Sequence, residues 1–204
     1  MLIVVRHGRT ELNASGKLLG RLDPPLDDVG HLQAQAVAAL LAGDGVDRVV
    51  SSPLARARST AAAIASAASP DPQAPLDVQI DDRWIEVDYG ELDGVPLADV
   101  PAATWAQWRS DPDFAPAMGE SLAAVSVRVS DACAELIEQA ADTNVVVVSH
   151  VSPVKAAVCW ALGVDTHVAW RTFVAPGSVT RINRGPAGPV LASFNERPVV
   201  RREG

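Results

Sequence analysis

The pattern of hydrophobic and polar positions changes repeatedly along the chain, which predicts strands and helices in alternation. Short runs that are apolar throughout, such as 2–5 and 145–148, are typical of strands buried on both faces of a sheet. Apolar residues that recur every three or four positions, as in 54–68, indicate helices with one buried face. The predicted strands cover 2–5, 46–51, 76–80, 145–150, 178–183 and 189–194, and the predicted helices cover 29–41, 52–68, 97–108, 120–140 and 151–162.

This alternation, with no fixed-period repeat and no long linker, predicts a single α/β domain with a largely parallel central sheet flanked by helices. The last two predicted strands are separated by a Gly-Pro-Ala-Gly turn at 185–188, which favours a hairpin. Ser52 and Pro53 suit the start of the following helix, because serine can cap a helix and proline fits its first turn. The domain is expected to span residues 1–204, with a short solvated tail near 195–204.

Composition restricts the classes of function. The chain has 204 residues, of which 48% are hydrophobic, and a chain of this length can bury a full core. Its formal net charge of −8 argues against a general nucleic-acid-binding surface, since such a surface is basic. The two cysteines, Cys133 and Cys159, lie in helical patterns typical of reduced core thiols, and no apolar run has the length of a membrane span or a signal peptide. We therefore expect a cytoplasmic protein without nucleic-acid or membrane partners, and leave its oligomeric state open.

Two of the predicted buried strands run directly into histidines. His7 follows the apolar run over 2–5 and stands between Arg6 and Gly8, and His150 ends the strand that begins with the valine run over 145–148. Open α/β sheets place their ligands beyond the carboxyl ends of the strands. The two histidines are therefore predicted to contribute to one site.

Four segments, in order, resemble the motifs of the histidine phosphatase superfamily, which has the phosphoglycerate-mutase-like fold. The resemblance covers about residues 2–160, and four motifs in matching strand and helix contexts are far more specific than the first motif alone. The segments are Arg6-His7-Gly8-Arg9-Thr10 with Asn13, 51–57 with Thr60, 86–90 with Gly94, and Val148-Ser149-His150.

The resemblance implies a phosphohistidine mechanism acting on a small-molecule phosphomonoester. It implies that His7 is the nucleophile and that Glu86 protonates the leaving group and later activates water. A phosphate monoester carries close to two negative charges, so its attack by a neutral histidine requires donors that neutralise the oxygens. The residues that the resemblance assigns to phosphate binding are Arg6, Asn13, Arg56 and His150. Asp88 remains a second candidate for the acid, and neither a metal nor a cofactor is expected.

Departures from the family pattern favour hydrolysis over phosphoryl transfer between substrate positions. In the first loop, Leu19 stands before Gly20 where the cofactor-dependent phosphoglycerate mutases have a hydroxyl residue, and Arg109 is the only cation between Gly90 and Gly119. The expected enzyme is therefore a phosphatase. The alternatives are a cofactor-dependent phosphoglycerate mutase and a non-catalytic phosphoryl-ligand binding protein. Val151 replaces the glycine that usually follows the second histidine, which leaves the shape of that loop open.

The segment over 94–118 is predicted to cover the leaving group of the substrate. It is poor in cations and contains Trp105, Trp108 and Phe114. We therefore expect a preference for monoesters with apolar or aromatic leaving groups. Trp84, two residues before Glu86, is a further candidate for the wall of the pocket.

Overall fold

Two valine-rich strands form the centre of the sheet and set the positions of the two histidines. The computed structural model describes residues 1–71 and 73–198. In it, β1 (Leu2–Arg6) pairs in parallel with β4 (Asn144–Ser149), and the register sets Arg6 opposite Ser149. Because the two strands end at the same level, the residues that follow them, His7 and His150, come side by side.

The remaining strands extend the sheet on both sides of this central pair. Next to β4 lie β2 (Val46–Ser51) and then β3 (Val78–Ile80), both parallel to it, while β5 (Val179–Gly185) and β6 (Gly188–Glu196) form an antiparallel hairpin beside β1. The strand order is β3-β2-β4-β1-β5-β6. The predicted α/β fold with a largely parallel sheet and a final hairpin is confirmed.

Helices cover both faces of the sheet, because the central strands are apolar on both of their faces. Val4 and Val147 belong to the core under α5 and α6, whereas Val5 and Val148 belong to the opposite core under α2 and α3. The helices are α1 (Glu11–Ala14), α2 (Asp28–Leu41), α3 (Ala55–Ala68), α4 (Ala102–Ser110), α5 (Leu122–Gln139) and α6 (Val151–Leu162), with 3₁₀ turns at Asp82–Trp84, Gly90–Leu92 and Thr166–Arg171.

The predicted start of α3 at Ser52 is wrong. The helix begins at Ala55, its N-cap residue Leu54 provides no side-chain hydrogen bond, and Oδ1 of Asp23 accepts from the Ala55 amide at 2.8 Å instead. The Ser52 hydroxyl lies 2.7 Å from Nε2 of His150. Asp23, which is distant in sequence, therefore caps α3, and the Ser52 hydroxyl bonds to His150 instead.

Other element boundaries also differ from the prediction. The helix expected over 97–108 begins at Ala102, after Pro101 at its N-cap, and the strand expected over 76–80 begins at Val78. Strand β6 extends to Glu196, so residues 195 and 196 of the expected tail belong to the sheet. The rest of the tail from 199 to 204 lies outside the described residues. Within the described ranges, none of the helices combines the length and the apolar composition needed to cross a bilayer.

Candidate active site

The two histidine rings lie next to each other at the carboxyl ends of β1 and β4. Their centroids are 5.0 Å apart, and their exposures are only 2% for His7 and 0% for His150. Nδ1 of His7 lies 2.6 Å from the carbonyl oxygen of Gly8, which requires a donor and therefore places the ring proton on Nδ1. The other nitrogen, Nε2, is then free to accept, and it receives a hydrogen bond from Nε of Arg56 at 3.3 Å.

Both rings are held in the neutral form. Burial is the main cause that lowers the pKa of His7 well below its ordinary value, and the positive charges of Arg56 and Arg6 lower it further. Burial and Arg56 likewise lower the pKa of His150 well below its ordinary value. An uncharged imidazole with a free lone pair is a nucleophile, whereas an imidazolium is not.

Two buried arginines adjoin the histidines. Arg56 is fully buried, and its terminal nitrogens donate to the carbonyl oxygens of Gly20 and Leu22, each at 2.7 Å. Arg6 donates from Nη1 to the carbonyl oxygen of Val174 at 2.7 Å. Burial lowers the pKa of Arg6 to about 10, so the guanidinium keeps its charge at neutral pH. The site is therefore electropositive although the protein as a whole is acidic.

Two buried nitrogen atoms of this cluster have no hydrogen-bond partner among the described residues. They are Nε of Arg6 and Nδ1 of His150, whose other ring nitrogen is bonded to Ser52. Buried polar atoms are ordinarily paired, and an unpaired one costs free energy. In the tautomer of His150 whose Nε2 accepts from the Ser52 hydroxyl, Nδ1 carries the proton, and an anion with several oxygen atoms would accept from it and from Nε of Arg6.

Glu86 lies at the amino end of α6. Its carboxylate is 3% exposed and accepts from the backbone amides of Val87 at 2.8 Å, Val151 at 3.0 Å and Ser152 at 3.1 Å. These bonds hold the carboxyl group at the first turn of α6, which begins directly after His150. The amide of Val151, in the loop whose shape the sequence left open, is therefore bonded to Glu86.

The second candidate for the acid, Asp88, is placed differently. Its Oδ1 accepts from the amide of Gly90 at 2.8 Å within its own turn, and the residue does not line the cavity at the site. Glu86 does line that cavity. The geometry therefore favours Glu86 over Asp88.

Asn13 combines a structural bond with a free donor group. Its Oδ1 atom accepts from the Thr10 backbone amide at 3.2 Å, and the Thr10 hydroxyl accepts from the Asn13 backbone amide at 3.3 Å, which together form the capping box of α1. Because the oxygen is used in this way, the side-chain NH₂ group is what Asn13 can offer to a ligand. Asn13 lines the cavity together with His7.

A cavity of about 490 Å³ opens beside His7 and Glu86, and most of its wall is apolar. Of the aromatic residues expected to cover the leaving group, Trp105 and Trp108 line the cavity. Phe114 packs against Trp108 instead, with ring centroids 5.9 Å apart. The remaining large apolar or aromatic side chains of the wall are Leu18, Leu19, Tyr89, Leu97, Leu122, Val125, Val151, Trp170 and Phe173.

Trp84 is a core residue and does not line the cavity. It is fully buried, and its carbonyl oxygen accepts from the Ser149 hydroxyl at 2.6 Å. It thus ties the end of β4 to the segment that carries Glu86.

The sequence analysis missed two lysines in the cavity wall, Lys17 and Lys155. Among the described residues, neither forms a salt bridge; Arg9, also in the wall, is paired with Asp27 at 2.7 Å. Burial lowers the pKa of Lys155, and the Glu86 charge opposes that shift. Lys155 lies four residues after Val151 and three after Ser152, which also line the cavity, so helical periodicity counted from these residues could have indicated it.

Thr60 was named in the sequence analysis only as part of a motif, without a role in the site. Its hydroxyl accepts from the Gly8 amide at 3.1 Å and donates to the Arg56 carbonyl at 2.9 Å, which joins the loop after β1 to α3. Gly8 is required at this point because a Cβ atom would lie 2.3 Å from the carbonyl oxygen of Gly30. The loop that carries His7 is therefore packed tightly against the start of α2.

Across the described parts of the chain, no three His, Cys, Asp or Glu side chains converge as a metal site would require. Cys133 and Cys159 are both buried free thiols. The site therefore consists of imidazole, guanidinium, carboxylate, amide and ammonium groups.

Comparison with known proteins agrees with this geometry. A model of the histidine phosphatase superfamily (branch 1) matches residues 2–197. Phosphoserine phosphatase 1 of Hydrogenobacter thermophilus is 37% identical over 173 residues, which cover 83% of this chain and 79% of that protein. A glucosyl-3-phosphoglycerate phosphatase of Mycolicibacterium vanbaalenii is 35% identical over 172 residues, 79% of this chain and 74% of that protein.

Similarity extends to solved structures. The crystal structure of phosphoserine phosphatase from Entamoeba histolytica in complex with 3-phosphoglyceric acid matches with a TM-score of 0.85 and 28% identity. The match covers 96% of each chain. The likeness therefore includes the hairpin at the end of the chain as well as the four motifs.

Proposed function

The chain belongs to branch 1 of the histidine phosphatase superfamily, and we propose that it hydrolyses small-molecule phosphate monoesters through a phosphohistidine intermediate on His7. The observation that carries this proposal is that a neutral His7 lies beside buried nitrogen atoms of Arg6 and His150 that have no hydrogen-bond partner among residues 1–71 and 73–198. Phosphoryl transfer needs at least a nucleophile and hydrogen-bond donors for the phosphoryl oxygens in one enclosed site.

In the first step, the lone pair on Nε2 of His7 attacks phosphorus and the bond from phosphorus to the ester oxygen breaks. The leaving alkoxide takes a proton from Glu86. In the second step, Glu86 removes a proton from water, the water oxygen attacks phosphorus, and the phosphorus–nitrogen bond breaks to give inorganic phosphate and free His7.

The remaining predicted residues bind the phosphoryl oxygens. Arg6 offers its unpartnered Nε, His150 offers Nδ1, and Asn13 offers its NH₂ group. Arg56 supplies positive charge beside Nε2 of His7. These donors are fixed before the substrate arrives, so little reorganisation is needed when charge develops in the transition state.

Net hydrolysis is favoured over mutase activity by the wall of the cavity. Leu19 lines it at the position where the mutases carry a hydroxyl residue, and Arg109 is absent from it. Among the described residues, the wall offers no cation beyond Lys17, Lys155, Arg6 and Arg9 to hold a phosphorylated intermediate in place.

The leaving group we propose has an apolar or aromatic body and one anionic group. The tryptophans of the wall suit the body. Lys17 and Lys155, which have no carboxylate partner among the described residues, suit a single carboxylate. Buried free thiols at Cys133 and Cys159 are consistent with the further proposal of a reducing, cytoplasmic location.

A hydrolysis assay on a broad panel of phosphomonoesters, without added metal and with a chelator present, tests the proposal. Wild-type protein is expected to release phosphate, and folded His7→Ala protein is expected to release none. Interconversion of 3- and 2-phosphoglycerate would support the mutase alternative instead. Binding of phosphate esters without turnover would support a binding protein.

A further inference from the structure

Asp93 makes three hydrogen bonds to one turn of the first loop. Its Oδ1 atom accepts from the Gly20 amide, and its Oδ2 atom accepts from the amides of Arg21 and Leu22, each at 2.7 Å. Hydrogen bonds to a charged acceptor are stronger than those between neutral groups. The carboxylate therefore fixes three consecutive peptide units, although it lies more than 70 positions later in the chain.

The same turn holds Arg56 from its other side. The carbonyl oxygens of Gly20 and Leu22 each accept from a terminal nitrogen of Arg56 at 2.7 Å, and Nε of Arg56 donates to Nε2 of His7. The turn thus lies between the Asp93 carboxylate, bound to its amides, and the Arg56 guanidinium, bound to its carbonyls.

Close packing makes this connection stiff. A Cβ atom on Gly20 would lie 2.7 Å from the carbonyl oxygen of Val87, so the turn is in direct contact with the segment that carries Glu86. Backbone bonds between Leu18 and Gly94 at 2.8 Å and between Leu18 and Val95 at 2.9 Å close the same junction. Among the described residues, Asp93 provides the only side-chain acceptor bonded to the amides of residues 20–22.

We infer that Asp93 is a positioning residue that sets the orientation of the Arg56 guanidinium toward His7 through the turn at 20–22. The inference rests on the proposed function, since it assigns Asp93 a part in the same phosphoryl transfer. The segment over 86–93 then contributes two residues to the reaction. Glu86 exchanges protons with the leaving group and water, and Asp93 positions the Arg56 guanidinium.

Loss of the Asp93 carboxylate should act on catalysis more than on substrate binding. Asparagine has nearly the same shape but only one acceptor oxygen, and its NH₂ group would face a backbone N–H, so at least one of the three bonds is lost. The turn can then shift, and the guanidinium shifts with it. Misplacement of a catalytic group by about 1 Å can lower the rate about 100-fold.

The test is a double-mutant cycle that combines Asp93→Asn with Arg56→Lys, measured as kcat and KM on one ester. In the wild-type background, Asp93→Asn is expected to lower kcat about 10- to 100-fold with little change in KM. In the Arg56→Lys background, the same substitution is expected to change kcat less than about twofold, because lysine cannot make the paired bonds to the turn. Asp99→Asn, at an exposed position of the same region, is the matched control and should match wild type.

Equal losses of kcat in the two backgrounds would overturn the inference, because Asp93 would then act independently of Arg56. Thermal unfolding of each variant identifies any loss that arises from unfolded protein. If Asp93→Asn fails to fold, the cycle is run with Asp93→Glu, which keeps the charge and displaces it by one methylene group. An inactive wild-type protein would contradict the proposed function, whereas an active one with additive effects would contradict only the inference about Asp93.

Discussion

Nε of Arg56 lies 3.3 Å from Nε2 of His7, so the guanidinium donates to the nitrogen that we propose as the nucleophile. Arg56 also lowers the pKa of His7 through its positive charge, second only to burial among the causes. Arg56 therefore both orients the imidazole ring of His7 and favours its unprotonated form.

Removal of this charge should change the pH dependence of hydrolysis. In Arg56→Met, the pKa of His7 rises toward its ordinary value, so the ring becomes protonated at a higher pH and the acid limb of kcat/KM moves to higher pH. The loss of a phosphate donor should also lower kcat about 100- to 1,000-fold. Arg58→Met, at an exposed position of the same helix, should leave both properties unchanged. An acid limb at the same pH in Arg56→Met would contradict the electrostatic account.

Stability should fall in acid because two histidines are buried in the neutral form. Both His7 and His150 have a pKa well below the ordinary value near 6.5, so the unfolded chain binds protons that the folded protein does not. The free energy of unfolding should therefore decrease as pH falls below about 6.5, by about 1.4 kcal/mol per pH unit for each histidine. Denaturant unfolding between pH 7.5 and 5.5 measures this slope. The slope should be smaller in His150→Asn than in the wild-type protein. His31→Asn alters an exposed histidine and is the control, whose slope should match wild type. Equal slopes in the two variants would show that burial of His150 does not cause the acid sensitivity.

Glu86→Gln should separate the two chemical steps. With an alkyl ester, whose leaving group needs a proton, kcat/KM should fall about 100- to 10,000-fold. With 4-nitrophenyl phosphate, whose leaving group departs unprotonated, rapid mixing should show a burst of nitrophenolate equal to the active sites. Slow turnover then follows, because glutamine cannot activate water.

Asp88→Asn provides the comparison, since its carboxylate caps its own turn. It should retain hydrolysis of both esters. A similar loss for both esters in Glu86→Gln, without a burst, would contradict the assignment of Glu86 as the acid.

Lys155 should favour substrates that carry a carboxylate on the leaving group. The phosphate esters of 3-(4-hydroxyphenyl)propionate and of 4-ethylphenol have similar aromatic bodies and differ in that one group. Wild-type protein is expected to prefer the carboxylate ester, and Lys155→Met should reduce that preference about tenfold, which corresponds to about 1.4 kcal/mol. Steady-state kcat/KM on both esters measures the effect. A preference that survives the substitution would exclude Lys155 from recognition of the leaving group.

The sequence was sufficient to predict that the two histidines lie together, because their positions depend on the ends of strands. Two apolar runs of similar length, 2–5 and 145–148, become neighbouring parallel strands in register, and this alone places His7 beside His150. The local pattern of apolar residues was therefore enough to predict the contact between His7 and His150. The order of the four motifs then supplied Arg56 and Glu86.

Residues that act through distant partners could not be predicted in the same way. Ser52 has the right identity and position for a helix cap, but Asp23 caps α3 in its place, and only the tertiary structure brings Asp23 there. Asp93 and Lys155 are ordinary polar residues in sequence. Their significance arises from a turn more than 70 positions away in one case and from a shared cavity wall in the other.

Trapping of the phosphorylated protein tests the central claim most directly. Glu86→Gln protein is mixed with 4-nitrophenyl phosphate and quenched in alkali, in which phosphohistidine survives, and the intact mass and the phosphorylated peptide are determined. The account predicts one phosphoryl group per chain, on His7, labile to acid and absent from the protein that also carries His7→Ala. A phosphoryl group on another residue, or a burst of nitrophenolate without any phosphorylated protein, would contradict it.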